Sequence, residues 1–183
     1  MQIQTARLLL REWRDADAAP FAAINADPAV MRYFPALLTE AESVAMIERM
    51  RLSWQERGFG LFCVEQIAEP GCIGFVGLSV PRFEAHFTPC IEIGWRLASA
   101  NWNRGYATEA AHAVRNWAHR ELHIAELVSF TTTANVPSRR VMEKIGLTHD
   151  TADDFAHPNV PIGDPLRPHV LYRGTAADCC GRG

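Results

Sequence analysis

The chain has 183 residues, 48% of them hydrophobic, and a formal net charge of -3. This size and composition suit a single domain with a sizeable core, and scattered basic residues under a negative charge argue against nucleic acid as the main partner. Apolar runs are too short to span a membrane, and the first residues lack a signal-peptide pattern, so we expect a cytoplasmic location and no membrane partner. We expect one domain over residues 1–174 and a disordered tail over 175–183.

Strand and helix patterns succeed one another along the chain. A strand is expected over 5–13, then a helix to about Ala26 that Asp15 or Asp17 can cap. Thr39 and Glu42 have the spacing of a capping box, which predicts a long helix ending at Gly58. The segments 59–67 and 72–80 flank a turn and predict an antiparallel hairpin. Further strands are expected over 91–97, 126–133, 147–150 and 169–173.

The stretch 101–111, Asn-Trp-Asn-Arg-Gly-Tyr-Ala-Thr-Glu-Ala-Ala, predicts a phosphate-binding turn that opens a helix. The first N–H groups of a helix lack intrahelical partners and carry partial positive charge, so an anion is stabilised there. Gly105 removes the Cβ that would hold a ligand away, Ala107 keeps the approach open, and Arg104 adds a full positive charge. An ordinary strand-to-helix turn has the same features, and the physical pattern alone leaves both interpretations open.

The string Trp-Asn-Arg-Gly-Tyr-Ala-Thr-Glu-Ala resembles the acetyl-CoA pyrophosphate loop of the GNAT N-acetyltransferase superfamily, especially its RimJ/RimL-like branch of ribosomal-protein N-terminal acetyltransferases. The segment 135–147 resembles that family's other motif helix, in the expected order, and the resemblance spans about 5–174. It implies an α/β fold with a mixed, mostly antiparallel central sheet, splayed at its middle, and helices on both faces. It also implies acetyl-CoA as co-substrate, a primary amine as acceptor and no metal, while a homodimer stays open.

The resemblance further implies which residues hold the donor. Backbone of the strand 93–97 would bind pantetheine and polarise the thioester carbonyl. Trp102 stands where many members of the superfamily have Gln or Arg, which leaves Arg104 with more of the charge. The expected donor-binding residues are Ile93, Trp95, Leu97, Asn103, Arg104, Gly105, Tyr106, Ala107, Thr108, Asn135, Ser138 and Arg140.

Glu92 is the candidate general base. It interrupts two isoleucines in a strand expected to be central, and alternation places it on one strand face with Gly94 and Arg96. Arg96 lies about 13 Å further along, too far for an ion pair. Partial burial would raise the pKa of Glu92 and suit it to accept a proton from an ammonium group. A carboxylate exposed on the sheet, or satisfied structurally, is the alternative; related acetyltransferases often place the base on this strand.

Ser138 is the candidate general acid, because in the RimL-like branch a serine at this position is proposed to meet the departing CoA sulfur. Many relatives instead use a tyrosine at the position of Met142. Asn135 and Ser138 fit equally well as a helix cap. Arg139 and Arg140 lie near the first helical turn, where either CoA phosphates or solvent would offset their charge.

The remaining motifs give less information about function. Cys63, Cys72 and Cys90 are expected in the core, Cys179 and Cys180 in the tail, and the spacing of His119 and His123 alone does not predict a metal site. The segment 81–89 is either a plain loop or a substrate wall. Two functions remain beside acetyl transfer. One is transfer of another acyl group such as succinyl, for which extra pocket room or a cation would be the distinguishing feature, and the other is an acyl-CoA-binding module without catalysis.

Overall fold

The structure is a computed structural model that describes residues 1–176. The chain divides into two compact units. The first contains Met1–Ser79 and Gly94–Val114, and the second contains Val80–Ile93 and the chain from Arg115 onward. One strand and one helix each contain residues of both units.

The first unit contains a sheet whose neighbouring strands follow chain order. Its strands are β1 (Gln2–Gln4), β2 (Leu8–Arg11), β3 (Leu61–Gln66), β4 (Cys72–Ser79) and, from Gly94 onward, β5 (Glu92–Leu97). Pairing from β1 through β4 is antiparallel. Its helices are α1 (Ala18–Asn25), α2 (Pro28–Met31), α3 (Glu40–Arg57) and the first turns of α4 (Tyr106–Arg120).

The second unit contains the last turn of α4, β6 (Glu126–Thr132), α5 (Val136–Lys144), β7 (Thr148–His149), β8 (Phe155–Ala156) and β9 (Pro168–Thr175). β9 pairs antiparallel with β6, β7 and β8. The start of β5 pairs in parallel with β6, and their register holds one residue pair, Glu92 with Val128. The predicted mixed α/β class with a mostly antiparallel sheet is confirmed.

The capping signals of the long helix are confirmed in detail. The Thr39 hydroxyl accepts a hydrogen bond from the Glu42 N–H at 3.2 Å, and the Glu42 carboxylate accepts one from the Thr39 N–H at 2.7 Å. Gly58 ends α3 with φ of 72°, a left-handed conformation that glycine adopts without a steric penalty. The predicted hairpin of β3 and β4 is also present.

Other predicted bounds need correction. The first strand is shorter than the expected 5–13. The N–H and the hydroxyl of Thr5 both donate hydrogen bonds to the Leu8 carbonyl, so the chain turns at this point and β2 begins only at Leu8. β1 was not predicted, since a three-residue strand of mixed polarity has no clear period. β9 extends to Thr175, opposite Glu126, and so includes the first residue of the segment 175–183 that was expected to be disordered. Cys179, Cys180 and the rest of that tail lie outside the described residues.

The core of the first unit forms between α1, α3 and the β3–β4 hairpin, from Trp13, Phe21, Ile47, Met50, Cys63, Cys72 and Phe75. Beside it the guanidinium of Arg11, 5% exposed, bonds the carboxylates of Asp17 and Glu65. Cys63 and Cys72 are therefore core residues as predicted, whereas Cys90 is half-buried. Within residues 1–176, no helix has both the length and the apolar character needed to cross a membrane.

Candidate functional site

The loop before α4 has the backbone geometry of an anion site. Asn103 and Gly105 have φ of 59° and 79°, both left-handed, so the loop turns sharply into the helix. The Glu109 N–H donates to the Gly105 carbonyl at 3.0 Å, which begins the helical hydrogen bonding. The N–H groups of Tyr106 and the next two residues therefore precede the first intrahelical bond and face an incoming ligand. Alternating left-handed residues in such a loop also gather N–H groups into a concave anion site.

Arg7, to which the sequence pattern assigned no role, clamps this loop. Its Nε donates to Glu109 Oε2 at 2.7 Å, its Nη2 lies 2.6 Å from the same oxygen, and its Nη1 donates to the Arg104 carbonyl at 2.9 Å. Its guanidinium also lies 4.7 Å from the centre of the Tyr106 ring. The Thr5 hydroxyl donates to Glu109 at 2.7 Å.

This clamp sets the charge at the start of α4. Burial acts to raise the pKa of Glu109, but hydrogen bonds from Thr5 and Arg7 hold that pKa below its usual value. Glu109 is therefore ionised at neutral pH, and Arg7 offsets its charge. Because an anion bound to the loop would be repelled by an uncompensated Glu109, the pair keeps the loop receptive.

A pocket of about 320 Å³ adjoins the loop within the first unit. It lies between the β3–β4 turn and the loop, and its lining includes Gln66, Glu69, Asn101 and Arg104. The Tyr106 hydroxyl donates to the Gln66 amide oxygen at 2.8 Å, which ties the first residue of α4 to β3. Arg104 is exposed and lines the pocket, where a guanidinium suits a phosphate.

β5 offers backbone rather than side chains. Ile93 and Leu97 are 0% and 5% exposed, so their side chains belong to the protein interior, while Trp95 is half-buried. The Leu97 carbonyl accepts a hydrogen bond from the Trp102 indole at 2.8 Å, which fixes the loop to the end of the strand. Trp102, which departs from the common family pattern, thus has a structural role.

Glu92 begins β5 in the second unit and is half-buried, opposite Val128 of β6. Cys90 lies two residues earlier; burial, and then the nearby charge of Glu92, raise the pKa of that thiol to about 11. Cys90 is therefore uncharged at neutral pH. The role of Glu92 as a base stays a prediction.

The start of α5 is capped as the local sequence suggests. The Asn135 side-chain oxygen accepts from the Ser138 N–H at 3.3 Å, and its amide donates to the Thr131 hydroxyl at 2.9 Å. Ser138 is half-buried and contributes its backbone N–H to the cap. Met142 is 2% exposed, which places the position of the missing tyrosine in the core.

The two arginines of α5 differ. Arg139 donates to the Thr133 carbonyl at 3.3 Å and to the Tyr172 hydroxyl at 3.4 Å, so it has protein partners. Arg140 is exposed. Arg140 thus has the accessibility that a donor-binding residue requires, whereas Arg139 ties α5 to β9.

The loop 81–89 packs its aromatic rings inward. Phe87 is 7% exposed, and Phe83 contacts Phe87, Phe130 and Phe155 with ring centres 5.6 to 6.2 Å apart. His169 joins this cluster, and burial lowers its pKa to about 4, so it is neutral at pH 7. This packing is compatible with both interpretations of the segment 81–89, a plain loop and a substrate wall.

One group of side chains has metal-ligand chemistry. Ligand atoms of Asp17, Cys63 and Cys72 lie within 4.8 Å of one another. The hydrogen bond with the Cys72 thiol, and then burial, raise the pKa of the Cys63 thiol above its usual value. Asp17 is already paired with Arg11, whose positive charge opposes a second cation there. The group is therefore better explained as part of the core.

The expected donor-binding residues and the candidate base Glu92 belong to both units. Leu97 and the six residues Asn103, Arg104, Gly105, Tyr106, Ala107 and Thr108 belong to the first unit with Trp95, whereas Glu92, Ile93, Asn135, Ser138 and Arg140 belong to the second. Sequence reasoning missed Arg7 and Gln66, which hold the loop. A charged residue at the edge of the first strand was the only signal for Arg7, because its partner lies 102 residues away.

The chain combines an open, mostly antiparallel α/β sheet with a left-handed loop before α4 whose backbone geometry suits an anion. Residues 7–148 match the acetyltransferase (GNAT) domain family, and the chain belongs to that family. It is an acyltransferase enzyme.

Individual relatives agree. The chain is 31% identical over 173 residues to the uncharacterised N-acetyltransferase YnaD of Bacillus subtilis, covering 94% of this chain and 95% of the relative. It superposes on an acetyltransferase from Agrobacterium tumefaciens with a TM-score of 0.76 and 30% identity, covering 95% and 94% of the two chains. RimL, a ribosomal L7/L12 alpha-N-protein acetyltransferase in complex with coenzyme A, has a TM-score of 0.78 over 98% and 99% of the chains, but at 14% identity it shows the fold alone.

Proposed function

We propose that this protein transfers an acetyl group directly from acetyl-CoA to a primary amine in a ternary complex. Residues 1–174 would act as one catalytic domain in the cytoplasm, without a metal. The observation that carries the proposal is the loop from Asn103 to Thr108, which combines left-handed backbone, a helix start and Arg104 beside a pocket. This combination suits the pyrophosphate of CoA.

The donor is held by three groups of residues. N–H groups at the start of α4 and the Arg104 guanidinium bind pyrophosphate, with Arg140 and Asn135 at the other motif helix. Backbone groups of Ile93, Trp95 and Leu97 bind pantetheine and polarise the thioester carbonyl, as an oxyanion site does. The burial of the Ile93 and Leu97 side chains supports a backbone role, because only their main-chain groups can meet a ligand.

Glu92 takes a proton from the acceptor ammonium, directly or through water, so that the neutral amine can attack. The amine nitrogen forms a bond to the carbonyl carbon and the carbon–sulfur bond breaks. The nitrogen passes its second proton to the Ser138 oxygen, or to a water molecule, as that same group gives its own proton to the sulfur, so the products are a neutral amide and the free thiol of CoA, and Glu92 returns its proton to solvent. Met142 has no exchangeable proton, so the tyrosine acid of many relatives has no counterpart in this mechanism.

The acceptor is a protein N-terminus or a small amine. The resemblance of the loop sequence to the RimJ/RimL-like branch is the ground for a protein N-terminus, while the relatives at about 30% identity favour neither acceptor. Transfer of another acyl group, or acyl-CoA binding without turnover, are the remaining candidates.

The test is release of free CoA thiol from acetyl-CoA with a panel of amines, including peptides with free N-termini. We expect the Glu92→Gln variant to lose roughly 100-fold or more in kcat, because a positioned base contributes that much, with unchanged acetyl-CoA affinity. Glu121→Gln, an exposed carboxylate in the same unit, is the matched control. An unchanged rate for Glu92→Gln at neutral pH would remove the base. Acetyl-CoA binding without transfer to any amine would favour the binding module.

A further inference from the structure

Arg96 of β5 is a buried cation without a carboxylate beside it. The residue is 8% exposed, and its Nη1 donates to the Asn25 side-chain oxygen at 2.6 Å. The rings of Phe34 and Phe75 lie 4.0 and 5.4 Å from the guanidinium carbon. Within residues 1–176, its buried Nε has no hydrogen-bond partner and no acidic side chain bonds the guanidinium.

A second arginine of the same unit shows what compensation looks like. Arg11 is equally buried, and two carboxylates, those of Asp17 and Glu65, bond its guanidinium. Burying an ion without such partners costs free energy, so an unpaired buried arginine calls for an explanation. Burial lowers the pKa of Arg96 to about 10, and the side chain therefore stays charged at neutral pH.

Neutral groups hold the Arg96 guanidinium in place. Asn25, which accepts from Arg96, donates to the Ser43 hydroxyl at 3.0 Å, and Ser43 donates to the Thr39 carbonyl at 2.9 Å. This chain of hydrogen bonds uses one edge of the guanidinium and orients it. The opposite edge is formed by Nη2 and by Nε, the buried atom without a partner in residues 1–176, and two parallel N–H groups match a carboxylate.

The position of Arg96 links it to the reaction. It lies between Trp95 and Leu97, whose backbone is proposed to hold the thioester, and its strand face is shared with Gly94, which has no side chain. Phe34 covers one face of the guanidinium from the segment between α2 and α3, and its ring is 37% exposed. A ligand that displaces this ring reaches the charge.

We propose that Arg96 binds a carboxylate carried by one substrate of the transfer. The inference rests on the proposed function, because it names the chemistry of a substrate of that reaction. The carboxylate has two sources: the free end of an acyl group such as succinyl, or an acceptor amine that also carries an acid group.

Two arms of one experiment distinguish the sources. The donor arm compares succinyl-CoA with acetyl-CoA for a single uncharged amine. The acceptor arm uses acetyl-CoA and compares amino acids with their amides. We expect kcat/KM for the carboxylate form to exceed that of the neutral form at least tenfold in one arm, the size of effect expected when a built polar site meets its partner.

Variants then assign the preference to Arg96. Arg96→Gln is expected to reduce the ratio of kcat/KM for the carboxylate form to kcat/KM for the neutral form to within about twofold, and Arg96→Lys, which keeps the charge without the two parallel N–H groups, should give an intermediate ratio. Arg49→Gln, an exposed arginine of α3, is the control. If Arg96→Gln does not unfold cooperatively on heating, Phe34→Ala replaces it, and its preference should change at least threefold because the covering ring is gone.

The outcomes separate the two claims. Equal kcat/KM for both forms in both arms, or a preference that survives in Arg96→Gln or is unchanged in Phe34→Ala, would overturn the carboxylate site and leave the transferase standing. Absence of transfer for every pair, together with no acetyl-CoA binding, would overturn the proposed function and the inference with it.

Discussion

Replacing Arg7 by alanine should weaken acetyl-CoA binding although Arg7 is outside the predicted donor loop. The change removes the two contacts to Glu109, the bond to the Arg104 carbonyl and the contact with the Tyr106 ring. It also leaves the Glu109 carboxylate uncompensated in the first turn of α4, where the donor phosphates are proposed to bind. Both effects act on the same loop.

The magnitude follows from these contacts. The Arg7 side chain is 49% exposed, so its ion pair with Glu109 is worth about 0.2–1 kcal/mol. The bond to the Arg104 carbonyl adds about 0.5–1 kcal/mol, and the ring contact about 0.5 kcal/mol. A total of about 1.2–2.5 kcal/mol corresponds to roughly an 8- to 70-fold rise in the Kd of acetyl-CoA.

Calorimetric titration of acetyl-CoA checks this value. Arg49→Ala removes the same charge from an exposed site on α3 and should leave Kd within about twofold. The double variant Arg7→Ala, Glu109→Gln should recover part of the loss, because it removes the uncompensated carboxylate. A Kd for Arg7→Ala equal to that of Arg49→Ala would refute the clamp.

Three further predictions concern a buried ion pair, a helix cap and the proposed general acid. Asp17→Asn should lower the free energy of unfolding by about 3 kcal/mol in urea titration, because it breaks a buried ion pair, while Asp15→Asn at an exposed site should cost under about 1 kcal/mol. Burial acts to raise the pKa of Asp17, but hydrogen bonds from Arg11 and Arg14 hold that pKa below its usual value. The contribution of Asp17 to the free energy of unfolding is therefore present above the unfolded pKa and is lost as pH falls through the lower folded pKa. The stability of the wild type should fall below about pH 4 more steeply than that of Asp17→Asn. Asn135→Ala should cost about 1 kcal/mol of stability through the lost cap. Ser138→Ala should keep stability and lower kcat roughly tenfold or more if its hydroxyl donates the proton, and an unchanged kcat would assign that proton to water.

Local signals predicted much of the fold. The capping box at Thr39 and Glu42, the turn between β3 and β4, and Gly105 before α4 each act over a few residues, so their structures follow from nearby sequence. The two-residue β8 and the three-residue β1 were missed because segments this short have no measurable period.

Polar pairs between residues far apart in the chain were the main features that could not be predicted from the sequence. Arg7 and Glu109 are 102 residues apart, and Arg11 and Glu65 are 54 apart, so no spacing rule connects them. Glu92 and Arg96 looked alike in the sequence, as charges within one apolar strand. In the fold, Arg96 is buried against aromatic rings, and within residues 1–176 no carboxylate bonds its guanidinium. Glu92, in contrast, is half-buried at the start of the strand.

The central claim is that the loop at the start of α4 binds acetyl-CoA. Calorimetric titration of acetyl-CoA into wild type, Gly105→Glu and Gly163→Glu tests it most directly. Both glycines have left-handed φ, 79° and 88°, so the two variants have similar backbone strain and the same added charge, but only Gly105 lies in the loop. We predict micromolar binding in wild type and Gly163→Glu and its loss in Gly105→Glu. No binding in wild type, or equal binding in all three proteins, would contradict the account.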